Sequence, residues 1–77
     1  MITVRLYAGV KEKAGVKSME VEGSTIEAVR DALAEACPAV APQLAACRFA
    51  LDDEFVDLGT EVQNGAKVDV IPPVSGG

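Results

Sequence analysis

The sequence predicts an α+β domain in which one main helix packs across a mixed sheet of four to five strands. Two observations lead to this fold class. Apolar and polar residues alternate near the start and again near the end, as in half-buried strands, and one segment between them has helical spacing. A chain of 77 residues can bury one small core, which we assign to residues 1–71, leaving an extended tail at 72–77.

Two strands come first. The stretch ITVRLYA alternates from Ile2 onward, which predicts a strand with one apolar face. The polar stretch VKEKAG, bracketed by Gly9 and Gly15, is interpreted as a loop. KSMEVE alternates again with Met19 and Val21 inward, so the two strands are expected to form a hairpin.

The main helix is predicted in STIEAVRDALAEAC. Ser24, followed three residues later by Glu27, fits a capping box, and Pro38 is expected to end the helix. The stretch AVAPQLAA can hold a further short helix. Four residues share one helix face: Ile26, Val29, Leu33 and Cys37.

Three more strands are predicted after the helix. CRFALDDEFV is a tight strand pair around the Asp52-Asp53 turn, and Asn64-Gly65 is a further turn. AKVDVI is the last strand, with Val68 and Val70 inward and Lys67, Asp69 and Ile71 outward. If that strand returns parallel to the first, the first strand lies in the middle of the sheet. This is the β-grasp arrangement, which ubiquitin shares.

Composition excludes several functions. The net charge is −5 and the seven basic residues are scattered along the sequence, so nucleic acid is a poor partner. No apolar run approaches a membrane span, and MITVRLYAGV lacks a leader signature, so we expect a cytoplasmic protein. There is no histidine, and Cys37 and Cys47 do not form a metal pattern, so we expect free thiols and no metal site.

The acidic stretch DDEFVD is the other candidate for a metal site. Its carboxylates could in principle hold a hard cation, but the offsets of a calcium loop are missing, and we interpret the stretch as a solvated hairpin turn. Cys37 is interpreted as a small core residue.

Some apolar residues do not fit the core. Tyr7 and Ile71 have outward parity, and the neighbours Phe55 and Val56 cannot both face inward. If the first and last strands pair, Tyr7 and Ile71 lie near each other and near the start of the tail. Contiguous exposed apolar surface often marks a protein interface, although single exposed apolar residues are also common.

The tail has the sequence PPVSGG and consists of Pro72, Pro73, Val74, Ser75, Gly76 and Gly77. The two prolines fix φ and donate no hydrogen bonds, so they end strand pairing and favour an extended exit of up to roughly 20 Å. The two glycines have no Cβ and can enter a narrow channel. The segment is therefore either a stiff stalk that presents the Gly77 carboxyl or a frayed terminus.

The ending resembles that of the ubiquitin-like sulfur carriers, and in particular the small subunits of molybdopterin synthase (the MoaD type). Tyr7-Ala8, Lys11-Glu12 and Gly15 are similar to that family's first strand and following loop, although the family more often has arginine at the lysine position. STIEAVRDAL resembles its helix start, and NGAKVDVIPPVSGG resembles its ending. The resemblance covers essentially the whole chain.

The resemblance implies a carrier without an active site or bound cofactor of its own. A partner resembling ubiquitin-activating enzymes would adenylate Gly77 with ATP, and a sulfur donor would convert it to a thiocarboxylate. The tail, residues 72–77, would then enter the large subunit of a heterotetrameric synthase and deliver sulfur to cyclic pyranopterin monophosphate. Tyr7, Phe55 and Ile71 occupy positions that match the family's partner interface.

Three alternatives stay open. The carrier could serve thiamine thiazole, cysteine or tRNA thiolation, although thiamine carriers usually lack the Pro-Pro-Val stalk. A ubiquitin-like modifier joined to protein lysines is the second alternative, and a binding module with an irrelevant tail is the third.

Overall fold

Five strands form one mixed sheet in the computed structural model, which describes residues 1–73. They are β1 (Ile2–Leu6), β2 (Ser18–Val21), β3 (Arg48–Leu51), β4 (Glu54–Val56) and β5 (Lys67–Ile71), in the spatial order β2-β1-β5-β3-β4. β1 and β5 are parallel, whereas the other neighbours are antiparallel. The predicted β-grasp arrangement is therefore confirmed. The central strand is β5 rather than β1, because β3 and β4 extend the sheet beyond β5.

One face of the sheet is covered by helices. The main helix α2 (Ile26–Ala36) is accompanied by α1 (Ala8–Ala14), a short α3 (Ala41–Leu44) and a 3-10 turn at Pro38–Val40. Within residues 1–73, none of the helices is long and apolar enough to cross a bilayer. The core between helices and sheet is formed by Ile2, Val4, Leu6, Val10, Val21, Ile26, Val29, Leu33, Val40, Leu44, Phe49, Val62, Val68 and Val70.

The loop predicted between β1 and β2 is wrong, because this segment is the helix α1. Its Val10 side chain is fully buried, and Ala14, one helical turn later, also packs against the core. Gly15 ends the helix in the left-handed conformation at φ 79°, and its N–H donates to the Lys11 carbonyl at 2.9 Å. The apolar spacing of Val10 and Ala14 is thus a genuine but short helical signal, and the polar residues between them obscure it.

The capping box predicted at Ser24 and Glu27 is also wrong. The N-cap of α2 is Thr25, whose hydroxyl accepts a hydrogen bond from the Ala28 N–H at 3.1 Å. The two N–H groups before Ala28, at positions 26 and 27, donate to the carbonyls of Thr60 and Leu58 at 2.9 and 2.8 Å. The loop after β4 therefore supplies hydrogen-bond acceptors to the start of α2, where the sequence predicts side-chain acceptors close by in the chain. At the other end α2 stops at Ala36, as Pro38 predicted.

Gly23 packs closely against this helix start. A Cβ at this position would lie 2.9 Å from the Val29 backbone nitrogen and 3.0 Å from its Cγ2. Because the obstacle is helix backbone, we expect Gly23→Ala to destabilise the fold by about 1–3 kcal/mol, measured by urea unfolding. Gly9→Ala is the matched control, since a Cβ added there would have no neighbour within 4 Å. Equal losses in both variants would contradict the packing argument.

The β3–β4 hairpin turns at Asp52 and Asp53, as predicted. Both residues have positive φ, 52° and 67°, which is the pattern of a type I′ turn and one that Asp tolerates. The register places Phe55 opposite Ala50 and Val56 opposite Phe49. Since side chains alternate along a strand, Phe55 points away from the helices and Val56 packs against the core.

Candidate functional site

The sheet face opposite the helices carries the three residues expected at an interface. Phe55 is 51% exposed, Tyr7 is 42% exposed, and Ile71 is half-buried. The guanidinium carbon of Arg48 lies 3.8 Å from the centroid of the Phe55 ring, and Arg48 is also the register partner of Ile71. Tyr7 and Ile71 line the same groove. These four residues, Tyr7, Ile71, Arg48 and Phe55, form a continuous band that we call the outer strip.

An ion-pair cluster lies beside the outer strip. Arg5 Nε and Nη2 donate to Asp69 Oδ1 and Oδ2 at 2.6 and 3.1 Å, and the Tyr7 hydroxyl donates to Asp69 Oδ1 at 3.1 Å. Asp69 is on the outward-facing side, as predicted, but these neighbours leave it only 7% exposed. Tyr7 thereby ties the end of β1 to the strand that leads into the tail.

The cluster raises the pKa values of Arg5 and Tyr7. The hydrogen bond to Asp69 raises the pKa of Arg5, and its attraction to the same carboxylate acts in the same direction. Desolvation is the main cause that raises the pKa of the Tyr7 phenol, followed by its hydrogen bond to Asp69. Tyr7 therefore keeps its proton, and its role as a donor, throughout the neutral range.

Tyr7→Phe is expected to lower the stability by about 0.5–1 kcal/mol, less than the roughly 1.5–3 kcal/mol of a typical hydrogen bond to a charged group, because the site is half exposed. This corresponds to roughly 2–8 °C in Tm for a domain of this size. Because folding raises the pKa of Tyr7, the protonated phenol stabilises the fold fully at pH values below the ordinary tyrosine pKa near 10. This stabilisation declines as the pH rises through the pKa of Tyr7 in the folded protein. Thermal unfolding at neutral pH measures the loss. In an Asp69→Asn background the loss should shrink; an unchanged loss would mean that the bond contributes nothing.

A groove of about 570 Å³ lies where the chain leaves β5. β5 ends at Ile71, as the prolines predicted, and Pro72 and Pro73 follow along the groove wall. Ala8 opposite them has a positive φ of 49°, which turns the chain sharply between β1 and α1. The groove is lined by Tyr7, Ala8, Gly9, Val10, Gln43, Ala46, Cys47, Ile71, Pro72 and Pro73.

The two cysteines are free thiols that pack against the hydrophobic core. Cys47, whose orientation the sequence left open, borders the groove, and its Sγ donates to the Gln43 carbonyl at 3.2 Å. Burial raises the pKa of the Cys47 thiol, which disfavours the nucleophilic thiolate. Cys37 packs against the core, as predicted. In the described part of the chain, no three acidic or cysteine side chains are grouped as metal ligands would be.

The structure brings together only part of the predicted site. Tyr7 and Ile71 meet the two prolines of the tail at the groove, and Phe55 connects to them through Arg48. The remaining positions predicted for the tail lie outside the described residues; they are Val74, Ser75, Gly76 and Gly77. Their role in a partner therefore stays a prediction.

Sequence reasoning missed two features of this face. One is Arg48, whose stacking on Phe55 has no local signal in the sequence. The other is the pairing of Arg5 with Asp69. This pairing could have been predicted from the sequence, because both residues have outward parity on strands that were expected to lie side by side.

The mixed sheet, the helix that crosses it and an outer face that no helix of residues 1–73 covers define a ubiquitin-like protein of the β-grasp fold. The ThiS family model matches residues 4–77. The chain belongs to the ThiS family, and its fold is of the sulfur-carrier type within the ubiquitin-like proteins.

Three relatives are informative. The molybdopterin synthase sulfur carrier subunit of Haemophilus influenzae is 32% identical, with all of both chains covered. The crystal structure of SAMP1 from Haloferax volcanii has a TM-score of 0.85 at 28% identity, covering 99% of this chain and 98% of that one. A complex of subunits 1 and 2 of the molybdopterin-converting factor from Helicobacter pylori contains a chain with a TM-score of 0.73 at 25% identity, covering 99% and 97%.

Proposed function

We propose that this protein is the sulfur-carrier subunit of a molybdopterin synthase. Its Gly77 carboxyl is adenylated by an ATP-dependent activating partner and converted to a thiocarboxylate. The large synthase subunit then receives the tail, and sulfur passes to cyclic pyranopterin monophosphate. The observation that carries this proposal is the full-length similarity to the Haemophilus influenzae sulfur carrier subunit, which extends through the PPVSGG ending.

The chemistry explains why the carrier needs partners. A terminal carboxylate is ionised above a pKa of about 3.5 and is a poor electrophile. Adenylation releases pyrophosphate from ATP and leaves an acyl adenylate, from which a sulfur nucleophile expels AMP as the carbon–sulfur bond forms. The sequence has no histidine to act as a general base, and the Cys47 thiol is held protonated. In this proposal the partners supply the ATP site and the pterin pocket, and this chain contributes the reacting carboxyl of Gly77.

The outer strip suits a partner that also takes up the tail. It joins exposed apolar surface at Phe55 to the groove that begins the tail at Pro72. Aromatic residues and arginine are enriched in the centres of protein interfaces, and Phe55 stacked on Arg48 supplies both. The similarity to a chain solved as a two-subunit molybdopterin-converting factor supports the large subunit as that partner.

Intact mass spectrometry tests the first half of the proposal. The protein is incubated with the activating enzyme, ATP and a sulfur donor, and we expect the mass gain of one oxygen replaced by sulfur, dependent on ATP. The thiocarboxylated product is then mixed with the large subunit and cyclic pyranopterin monophosphate, and molybdopterin should form. Absence of the exchange would exclude every sulfur-carrier function, whereas exchange without molybdopterin would indicate another sulfur pathway.

A second candidate function is a protein modifier, in which Gly77 forms an amide with a lysine of another protein. The similarity to SAMP1, a small archaeal modifier protein, favours this alternative. Both functions begin with the same acyl adenylate and differ in the nucleophile that accepts the acyl group. Lysine-linked adducts recovered from cells that express a tagged version of the chain would favour the modifier.

A further inference from the structure

The outer face has a second feature, a shallow concavity of about 520 Å³ between the ends of β1 and β2 and the helix α1. Tyr7 and Ser18 form part of its wall. Four basic side chains line it, and we call this surface the basic concavity: Arg5, Lys11, Lys17 and Lys67.

The charge of this surface contrasts with that of the rest of the chain. The sequence has seven basic and twelve acidic residues, so only three basic residues remain for the rest of the molecule. Among residues 1–73, no acidic residue lines the concavity. The basic residues look scattered along the sequence, but the β-grasp topology gathers most of them, because β5 returns Lys67 beside Thr3.

We propose that the basic concavity binds a short acidic segment of the protein partner that takes up the tail. This inference rests on the proposed function for the identity of the partner. Tyr7 lines both the concavity and the groove that begins the tail, so a protein holding the tail at Pro72 is adjacent to the four basic side chains. Carboxylates on a partner complement this charge, and lysine ammonium groups can pair with them without a fixed geometry.

The surroundings favour a short segment over a long polyanion. Exposed Glu20 is the register partner of Thr3, which lines the concavity, and exposed Glu12 follows Lys11 on α1. A nucleic-acid strand that passes over the concavity would meet this acidic border, whereas a peptide with a few carboxylates would not. Arg5 already gives two of its five N–H groups to Asp69, so the three lysines are the main contributors.

A peptide titration tests the surface without any partner. Hexaglutamate is added to the full-length ¹⁵N-labelled protein, with hexaglutamine, inorganic phosphate and a single-stranded oligonucleotide as the other probes. We expect saturable amide shifts around residues 3–5, 11, 17–18 and 67 with hexaglutamate, weakening as salt rises. Equal shifts with hexaglutamine, equal binding of phosphate, or tighter binding of the oligonucleotide would each overturn the proposal.

Charge reversal supplies the matched comparison. Lys17→Glu alters a lining residue, whereas Lys13→Glu makes the same change at an exposed residue of α1 that does not line the concavity. Lys17→Glu should weaken hexaglutamate binding and slow association with the large subunit by about threefold to tenfold at low salt. Lys13→Glu should change both by less than about twofold, the scale of a distant surface charge. Equal effects of the two variants, or unchanged association of Lys17→Glu with the large subunit, would contradict the proposal.

The two proposals fail separately. Hexaglutamate binding needs neither ATP nor a sulfur donor, so loss of sulfur exchange in the mass assay leaves its outcome unaffected. A chain that accepts sulfur but does not bind hexaglutamate would retain the proposed function and lose this inference.

Discussion

Adding one alanine after Gly77 is expected to abolish thiocarboxylate formation. The extension moves the carboxyl group one residue beyond the position that the activating partner must reach, and its Cβ enlarges a tip that otherwise has no side chains. Because the reaction depends on a specific placement of the reacting atom, we expect a loss of at least about 100-fold. Intact mass spectrometry after incubation with the activating enzyme, ATP and a sulfur donor measures it.

The fold supplies the control for this experiment. Among residues 1–73, the last core residue is Val70 and the last strand ends at Ile71, so we expect the extended protein to unfold at the same temperature as the original. Removing the extension with a fusion that cleaves directly after Gly77 should restore the reaction. Undiminished sulfur exchange on the extended chain would show that the Gly77 carboxyl is not the reacting group.

Replacing Phe55 with aspartate is expected to produce the second large effect, on binding to the large subunit. The ring is 51% exposed in the isolated protein and stacks on Arg48, so it can be buried by a partner without rearrangement. We expect Phe55 to be one of the few hot-spot residues of the interface, whose loss costs about 2 kcal/mol or more and lowers the affinity by about 30-fold or more. Isothermal titration with the large subunit measures the change.

Val16→Asp is the matched variant, since Val16 is 45% exposed and lies in the turn before β2 rather than on the outer strip. Both variants should unfold within about 1 kcal/mol of the original protein, as is usual for surface positions. Collapse of the Phe55→Asp fold would instead identify Phe55 as a core residue. Equal weakening of binding by the two variants would remove the outer strip from the interface.

The strands β1, β2 and β5 were predictable because their segments alternate with a period of two, and β3 and β4 were predictable from the Asp52-Asp53 turn between them. Val4 with Val68, and Phe49 with Val70, are paired in the sheet and almost fully buried, as the parity of their segments indicates. The parallel return of β5 followed from the order of the elements rather than from any local signal. Packing one main helix across the sheet was then the simplest arrangement that buries the apolar face of the helix and that of the sheet.

The errors occur where distant chain segments supply the contacts. The carbonyls of Leu58 and Thr60 cap α2, and their distance from the helix in sequence hides them from a local capping rule. Helix α1 is short and has one fully buried residue, Val10, so its periodicity is weak and its stability comes from tertiary packing. Asp69 followed the parity rule, but its burial depends on the side chains of two residues on β1 and just beyond it, Arg5 and Tyr7.

The candidate site was predictable to different extents in its parts. Alternation placed Tyr7 and Ile71 on the outer face but left open which of the neighbours Phe55 and Val56 faces outward, and only the family resemblance assigned Phe55 to the interface. The structure shows all three side chains on the outer face. Their role as an interface stays a prediction, as do the division into residues 1–71 and 72–77, the cytoplasmic location and the activating partner. The basic concavity could not be read from the sequence, because its members come from β1, α1, the segment before β2, and β5.

The position of β5 also determines how the fold responds to mechanical force. A partner that takes up the tail, as proposed above, would pull along β5, which is hydrogen-bonded to β1 on one side and β3 on the other. Such a pull loads many hydrogen bonds simultaneously in shear, and the Arg5–Asp69 ion pair opposes the same displacement. An edge strand would instead peel away one bond at a time. We therefore expect the sheet to remain intact when a partner holds the tail and releases it again.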